Sequence, residues 1–447
     1  MTIVIIAIML LAYILIATEK LTKVNKAAVA VFAGTVGWIL YICYGTDYVT
    51  RFHGAEYAEF LHGSAATSVA VKHFIADNIF LKYVGRAAEI VLFLLATMTI
   101  VEILNNNGCF DFITQLLKTR RSRKLLWALS VSTFVISANL DNLTTTVMML
   151  TMMHKIVPHW RQRLYFGSAV VLAANCGGAL TVIGDPTGLV LWNAGYVTAS
   201  SFSGTMAVPC LIAWLLPTWW IGRSLPERID TGWVSLPYRG DDTRLNVWQR
   251  LMMLFVGIGG LWFIPTFHNI TKLSPFLGAF CVLTVLWVVN EVVNHKLMNV
   301  DEMIQRRVPR VLQYGVLQMM LYIMGLMFVV GVMQETGIAP WLMEHGREWL
   351  QQPWLVGLVA GSVSTVLDSF ASAMSFIALG TGNPQNTLYW SVVAFTTAIA
   401  GNILCIGSMS GMALIKSERV KVGWYFTHIG WKAMVGGIVG LAVMLLL

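Results

Sequence analysis

Apolar segments long enough to cross a lipid bilayer follow one another from Ile3 to Leu446, with mostly short polar intervals between them. A spanning helix takes about 20 mostly apolar residues. On that length the chain holds ten spans: roughly 3–18, 27–45, 86–105, 162–199 (interrupted), 205–222, 247–266, 274–293, 311–334, 387–415 (interrupted) and 424–446. Of its 447 residues only 12% are charged, against about 25% in soluble domains. That leaves too little polar surface for water, and the fold class expected is an all-α polytopic membrane protein.

Two further segments, 124–157 and 353–381, are long but carry polar residues at their centres, Asp141-Asn142 in one and Asp368-Ser369 in the other. A continuous helix would bury these groups without partners. Two half-helices meeting at a polar tip that lines a cavity satisfy them better, so each segment is expected to be a re-entrant hairpin. An ionised Asp near a bilayer centre costs roughly 2.5–3.5 kcal/mol on insertion scales, which marks such residues as functional.

The distribution of basic residues sets the expected orientation. With the N-terminus outside, the segments around 18–26, 118–124, 154–163, 223–250, 294–310 and 416–421 face the cytoplasm and hold 23 of the 30 Lys and Arg. The outside segments hold six, so the charge bias favours both termini outside. The formal net charge of +8 is therefore spread over loops, which argues against nucleic acid as a partner. Short amphipathic stretches from Phe110 to Lys118 and from Ile338 to Leu350 are expected to lie in the interface. The outside loop 46–85 has no readable role. The six cysteines are scattered without a CxxC or Cys/His cluster, which indicates neither a disulfide framework nor a zinc site.

The order of landmarks recurs. A spanning helix ends near Gly108, then again near Gly337; a Leu-Asp tip follows, Leu140-Asp141 and then Leu367-Asp368. An interrupted helix closes each set, with Gly178, Gly184 and Gly188 matching Gly401, Gly407 and Gly411. Five spans per half start the second copy on the opposite side of the membrane, an inverted repeat of the kind secondary transporters use around a midplane site. The expected organisation is a first repeat over 1–222, a cytoplasmic linker over 223–246 and a second repeat over 247–447.

The chemistry follows from the tips. Asp141 and Asp368 are equivalent groups, surrounded by hard oxygen donors: Asn139, Asn142, Thr144 and Thr145 in one half, Ser364, Ser369 and Ser372 in the other. The interrupted helices add Asn175, Asp185 and Thr187, then Asn402 and Ser408. Gly184, Pro186 and Gly188 allow an unwound backbone whose free carbonyls, with carboxylates and hydroxyls, suit Na⁺ or Li⁺. A carboxylate away from water can hold a proton or a metal cation, and competition between the two is the basis of exchange. Asp185 has an alternative role as N-cap of the half-helix after Pro186. Asn175 and Asn402 can bridge helices instead of binding an ion. Glu89, Glu102 and Lys432 are expected in structural ion pairs.

Residues 136–153, ISANLDNLTTTVMMLTMM, with 175–188, NCGGALTVIGDPTG, resemble the NhaD-type Na⁺/H⁺ antiporters of bacterial inner membranes. These are members of the ion transporter superfamily, which also holds divalent anion/sodium symporters. The resemblance continues through LDSFASAMSF at 367–376 and GNILCIGSMSG at 401–411. It implies a multi-pass inner-membrane antiporter, not an enzyme, that exchanges cytoplasmic Na⁺ or Li⁺ for external protons and needs no cofactor. It implies that Asp141, Asn142, Thr144, Thr145, Asn175, Asp185, Asp368 and Asn402 match site positions, with Asp141 and Asp368 as the transported cation's ligands. It also implies a homodimer with scaffold helices at the interface and a mobile transport domain. Symporters of the superfamily carry Ser-Asn-Thr at the hairpin tips, where this chain has Asp141-Asn142-Leu143 and Asp368-Ser369-Phe370. That departure argues against Na⁺-coupled anion uptake, the alternative reading. An intramembrane aspartyl protease would look for Gly-x-Gly-Asp, but the sequence before Asp185 is Val182-Ile183-Gly184, and a protease leaves the repeat without explanation.

Overall fold

The computed structural model describes residues 2–447 apart from 63, 114–116, 230–244, 295–313, 339–340, 342–345, 347–351 and 381. The described residues form helices and connecting turns, with no β-strand among them. In the first half these are α1 (Thr2–Ala17), α2 (Lys26–Cys43), α3 (Gly45–Phe52), α4 (Gly54–Leu61) and α5 (Ser68–Asn106). Then come α6 (Ser122–Asn139), α7 (Asn142–Ile156), α8 (Trp160–Leu180), α9 (Pro186–Asn193) and α10 (Ala199–Arg223). The second half runs α11 (Val247–Thr271), α12 (Pro275–Asn294), α13 (Tyr314–Glu335), α14 (Pro353–Val366) and α15 (Ser369–Leu379). It closes with α16 (Leu388–Leu404), α17 (Met409–Glu418) and α18 (Val422–Leu446).

Eight of the helical stretches are long and apolar enough to cross a membrane: α2, α5, α10, α11, α12, α13, the α16–α17 stretch and α18. The helices α11 and α12 leave large apolar side chains such as Trp248, Phe255, Trp262, Val288 and Val292 exposed, a surface suited to hydrocarbon and not to water. The breaks fall where polar residues and glycine interrupt the apolar pattern. Leu140-Asp141 separates α6 from α7, Leu367-Asp368 separates α14 from α15, and Gly184-Asp185 and Gly407-Ser408 lie in the gaps before α9 and α17. Gly108 and Gly337 follow the ends of α5 and α13 in left-handed turns, at φ of 66° and 75°.

Packing pairs the halves crosswise. Helix α2 lies along α13, α5 along α12, and α10 along α18; within each half, α6 lies along α8 and α14 along α16. Small residues allow the closest of these approaches. A Cβ on Gly34 of α2 would come 2.8 Å from Phe328 Cβ, and one on Gly325 of α13 would come 2.5 Å from the Val31 nitrogen. Segments that the charge bias puts on one side meet each other. Ser122 N–H donates to Glu227 O at 3.1 Å, and Ile229 N–H to Arg120 O at 3.1 Å. At the other side Asn386 N–H donates to Tyr196 O at 2.8 Å.

The segment 46–85 differs from the loop expected of it. It holds α3, α4 and the first turns of α5, with a π-helical stretch at Ile75–Phe80. The charges at Asp77, Lys82 and Arg86 break the hydropathy run. On the inner face, however, Tyr48, Val49, Tyr57, Phe74, Ile75 and Ile79 are all buried. His53 joins these short helices to the end of α13: Nε2 meets Glu335 Oε2 at 2.6 Å and Nδ1 meets Glu56 Oε2 at 3.0 Å. Burial pulls the imidazole pKa down, but the hydrogen bonds and charges of Glu335 and Glu56 outweigh it and leave the pKa raised. A raised folded-state pKa gives stability that is full below the unfolded value, about 6.5, and lost as pH rises through the folded value. The melting temperature should therefore fall over that window, and His53→Gln should flatten the fall. Parallel pH profiles for the two proteins would exclude the contribution.

Most of the amphipathic stretch from Ile338 to Leu350, part of that from Phe110 to Lys118, and residues 230–244 of the linker lie outside the described residues. The expected membrane ion pairs are replaced by neutral partners. Glu89 accepts from Asn193 Nδ2 at 2.7 Å, Glu102 from Asn106 Nδ2 at 3.0 Å, and Lys432 Nζ donates to Ser224 Oγ at 3.4 Å. None of the six cysteines forms a disulfide.

Candidate functional site

Each tip is fixed by its own carboxylate acting as a helix N-cap. Asp141 Oδ1 accepts from Thr144 N–H at 2.7 Å, and the Thr144 hydroxyl donates to Oδ2. Asp368 Oδ1 accepts from Phe370 N–H at 3.0 Å. In both cases the anion sits at the positive end of a helix, where orphan N–H groups and the macrodipole favour negative charge. Asp185 caps α9 in the same way, with Thr187 N–H donating to Oδ2 at 3.0 Å and Pro186 at the first helical position. Its N-cap role, an open alternative from the sequence, is therefore present. Ser408 caps α17 by accepting from Gly411 N–H at 3.0 Å.

The tips dock onto the breaks of the interrupted helices in matching fashion. Asn142 N–H donates to Gly184 O at 3.2 Å, and Ser369 N–H to Gly407 O at 2.8 Å. Behind each tip a serine clamps the neighbouring helix: Ser137 Oγ donates to Ala174 O at 2.6 Å, and Ser364 Oγ to Thr397 O at 2.7 Å. These contacts need glycine at the break. A Cβ on Gly184 would fall 2.7 Å from Ser137 O, and one on Gly407 would fall 2.1 Å from Ser364 O, separations that no real Cβ holds without a shift of the tip.

A chain of side chains then crosses between the halves. Asn142 Nδ2 donates to Asp185 Oδ1 at 2.7 Å. Asn175 Nδ2 donates both to Asn402 Oδ1 at 2.8 Å and to Ser408 Oγ at 3.0 Å. Ser410 Oγ donates to Asn142 O at 3.3 Å. Asp141 lies in the field of Asp185, and Asp185 in that of Asp368. All three residues are buried, none above 8% exposure. Of the oxygen donors singled out in the sequence, those buried without a hydrogen-bond partner include Thr145 Oγ1, Asn175 Oδ1 and Ser372 Oγ. Each such atom costs about 1–3 kcal/mol, a cost that a bound cation would offset. Among the described residues no group of three or more His, Cys, Asp or Glu is placed to hold a metal ion together, the three carboxylates Asp141, Asp185 and Asp368 included.

Two placements differ from expectation. Asn139 turns away: its Nδ2 donates to Val135 O at 2.7 Å, and Trp262 Nε1 donates to its Oδ1, outside the cluster. At the end of α6 its side chain continues the outer face of that helix. Asp368, by contrast, has a basic partner that neither hairpin supplies. Lys26 Nζ, at the first turn of α2, lies 2.7 Å from Asp368 Oδ2. The sequence gives no signal for this pair, because Lys26 counts there as one more basic loop residue. Among the described residues no ion pair reaches Asp141 or Asp185.

Comparison with known proteins agrees with a transporter. A family model described as citrate transporter (CitMHS) matches residues 13–400. The chain is 30% identical over 389 residues to sodium/proton antiporter 1 of Arabidopsis thaliana, covering 86% of this chain and 65% of that one. It is 28% identical to sodium/proton antiporter 2 of the same plant, covering 81% of this chain and 86% of that one. It is 24% identical to the Na⁺/H⁺ antiporter NhaD of Alkalimonas amylolytica, covering 98% of this chain and 89% of that one. The chain spans just under two thirds of the length of the first of these relatives.

Proposed function

The chain belongs to the citrate-transporter family of membrane carriers, and from that premise we propose that it exchanges Na⁺ or Li⁺ for protons by alternating access. The observation that carries the reading is the burial of three carboxylates, Asp141, Asp185 and Asp368, of which, among the described residues, only Asp368 has a basic partner. Ionised, the trio and Lys26 leave a formal charge of minus two away from water, a state that is stable only with bound protons or cations. Competition between the two cargoes for the same carboxylates couples their movement. In this reading Asp141, Asn142, Thr144, Thr145, Asn175, Asp185 and Thr187 form one side of the site, and Asp368, Ser369, Asn402 and Ser408 form the other. Relatives named sodium/proton antiporters support it.

The matched capping, docking and clamping contacts of the two tips support an inverted repeat with re-entrant hairpins, and the bias of Lys and Arg toward one set of segments favours termini outside a plasma membrane. The exposed face of α11 and α12 is the surface on which a homodimer would form. The family description favours a second reading, sodium-coupled uptake of citrate or a similar anion. Against it, the buried carboxylates would repel an anionic substrate.

Proteoliposomes loaded with a pH gradient decide between the readings. Antiport predicts that external Na⁺ or Li⁺, and not K⁺, dissipates the gradient, and that citrate changes nothing. Sodium flux that requires citrate would replace the antiport reading with symport.

A further inference from the structure

Resting on the antiport reading, we propose that Lys26 is a tethered counter-cation that occupies Asp368 between transport events, so that a transported cation reaches Asp368 only by displacing the Lys26 ammonium. Asp141 and Asp185 are then the part of the site open to cargo.

The placement of Lys26 is unfavourable except for this contact. Asn25 caps α2 by accepting from Ala27 N–H at 2.8 Å, which sets Lys26 at the first helical position. A cation there opposes the helix dipole. The ammonium is held instead by Asp368 Oδ2 and by the face of Tyr322 on α13, whose ring centroid lies 4.4 Å away. The two ends of the pair differ in what they can do. The Lys26 side chain is 21% exposed and has a long flexible stem, whereas the Asp368 side chain is 6% exposed. Lysine can swing away; the aspartate, pinned as the cap of α15, cannot.

The pair also connects different parts of the fold. Lys26 rides on α2, which packs along α13, while Asp368 is part of the unit formed by α14, α15 and α16. Its absence from the other half is local and specific. The turns before α2 and α12 share a left-handed lysine, Lys23 at φ 57° and Lys272 at φ 59°. Three residues on, one has Lys26 and the other Pro275. Thus Asp141 has no corresponding base, and the two tips, alike in backbone, differ in charge.

A site whose competent form exists only when Lys26 is displaced binds cargo more weakly by the fraction of time it is open. Equilibrium ²²Na⁺ binding to the purified full chain in detergent, at alkaline pH where proton competition is low, measures this. Lys26→Met should tighten the apparent Kd by about tenfold or more, and Lys26→Arg should restore a value near the wild type. In an Asp368→Asn background Lys26→Met should have no further effect, since the competition passes through that carboxylate. An unchanged or weaker Kd in Lys26→Met, or the same tightening in the Asp368→Asn background, would overturn the proposal. So would a merely structural role, which lowers the yield of folded protein without moving Kd. If Lys26→Met does not fold, Lys26→Gln carries the same expectation. A wild-type protein that binds neither Na⁺ nor Li⁺ would instead remove the antiport reading itself, and the inference with it.

Discussion

Asp141→Asn should abolish sodium-dependent proton flux while leaving a folded protein. Asn is as good an N-cap as Asp, so the Thr144 N–H that caps α7 keeps its acceptor. What disappears is the charge. A carboxamide can neither release a proton nor neutralise a cation, and ligand charge count is a main determinant of affinity for hard cations. With no ion pair at Asp141 among the described residues to mask the loss, the expected fall in flux is on the order of a hundredfold or more. Reconstituted flux and a melting curve in the same detergent test both halves of the statement. Flux near that of the wild type would remove Asp141 from the site, and a lost melting transition would make it structural.

The second large effect is expected far from the trio. Glu418, at the end of α17, is 1% exposed and accepts from Arg163 Nε at 2.9 Å and from His154 Nδ1 at 2.9 Å. Its backbone carbonyl takes Trp160 Nε1 at 2.9 Å. One carboxylate therefore ties the ends of α7, α8 and α17 together. Glu418→Ala leaves Arg163, its side chain only 14% exposed, with the Pro158 carbonyl at 2.8 Å but without its anionic partner, and removing one member of a buried pair costs about 3–5 kcal/mol. Denaturant unfolding should show a loss of that size, and Glu418→Ala with Arg163→Met should recover part of it. A loss below about 1 kcal/mol, the scale of a surface pair, would mean that water reaches this cluster.

The breaks in the helices were legible in the sequence because each sets a strong signal against a weak background. An Asp in an apolar run, or Gly-Asp-Pro within one, has few structural solutions, and a new helix starts after each of Asp141, Asp185 and Asp368. The contact between Asn142 and Asp185 has no such signal, because it depends on how a tip meets a break 43 residues away. The Lys26–Asp368 pair, 342 residues apart, has less still. Asn139 misleads for the opposite reason. It is adjacent to the tip in sequence, yet its position on α6 turns it outward. The helices of 46–85 escape a reading based on spanning length because their apolar faces are only a turn or two long and are interrupted by charge.

The crosswise packing has a consequence for biosynthesis. A chain made from its N-terminus places α2 in the bilayer long before α13 exists, and α2 carries the small residues Ala30, Gly34 and Gly37 where α13 approaches it. Small residues give lipid tails little to hold, so this face is poorly occupied until its partner arrives. The same delay separates α5 from α12, α10 from α18, and Tyr13 from Ser375, which are hydrogen-bonded at 2.9 Å across 362 residues. Contacts between residues so distant in the chain form late and slowly. The first half can pack α6, α7, α8 and α10 together at once, but the faces of α2, α5 and α10 that the second half covers stay open until it is made.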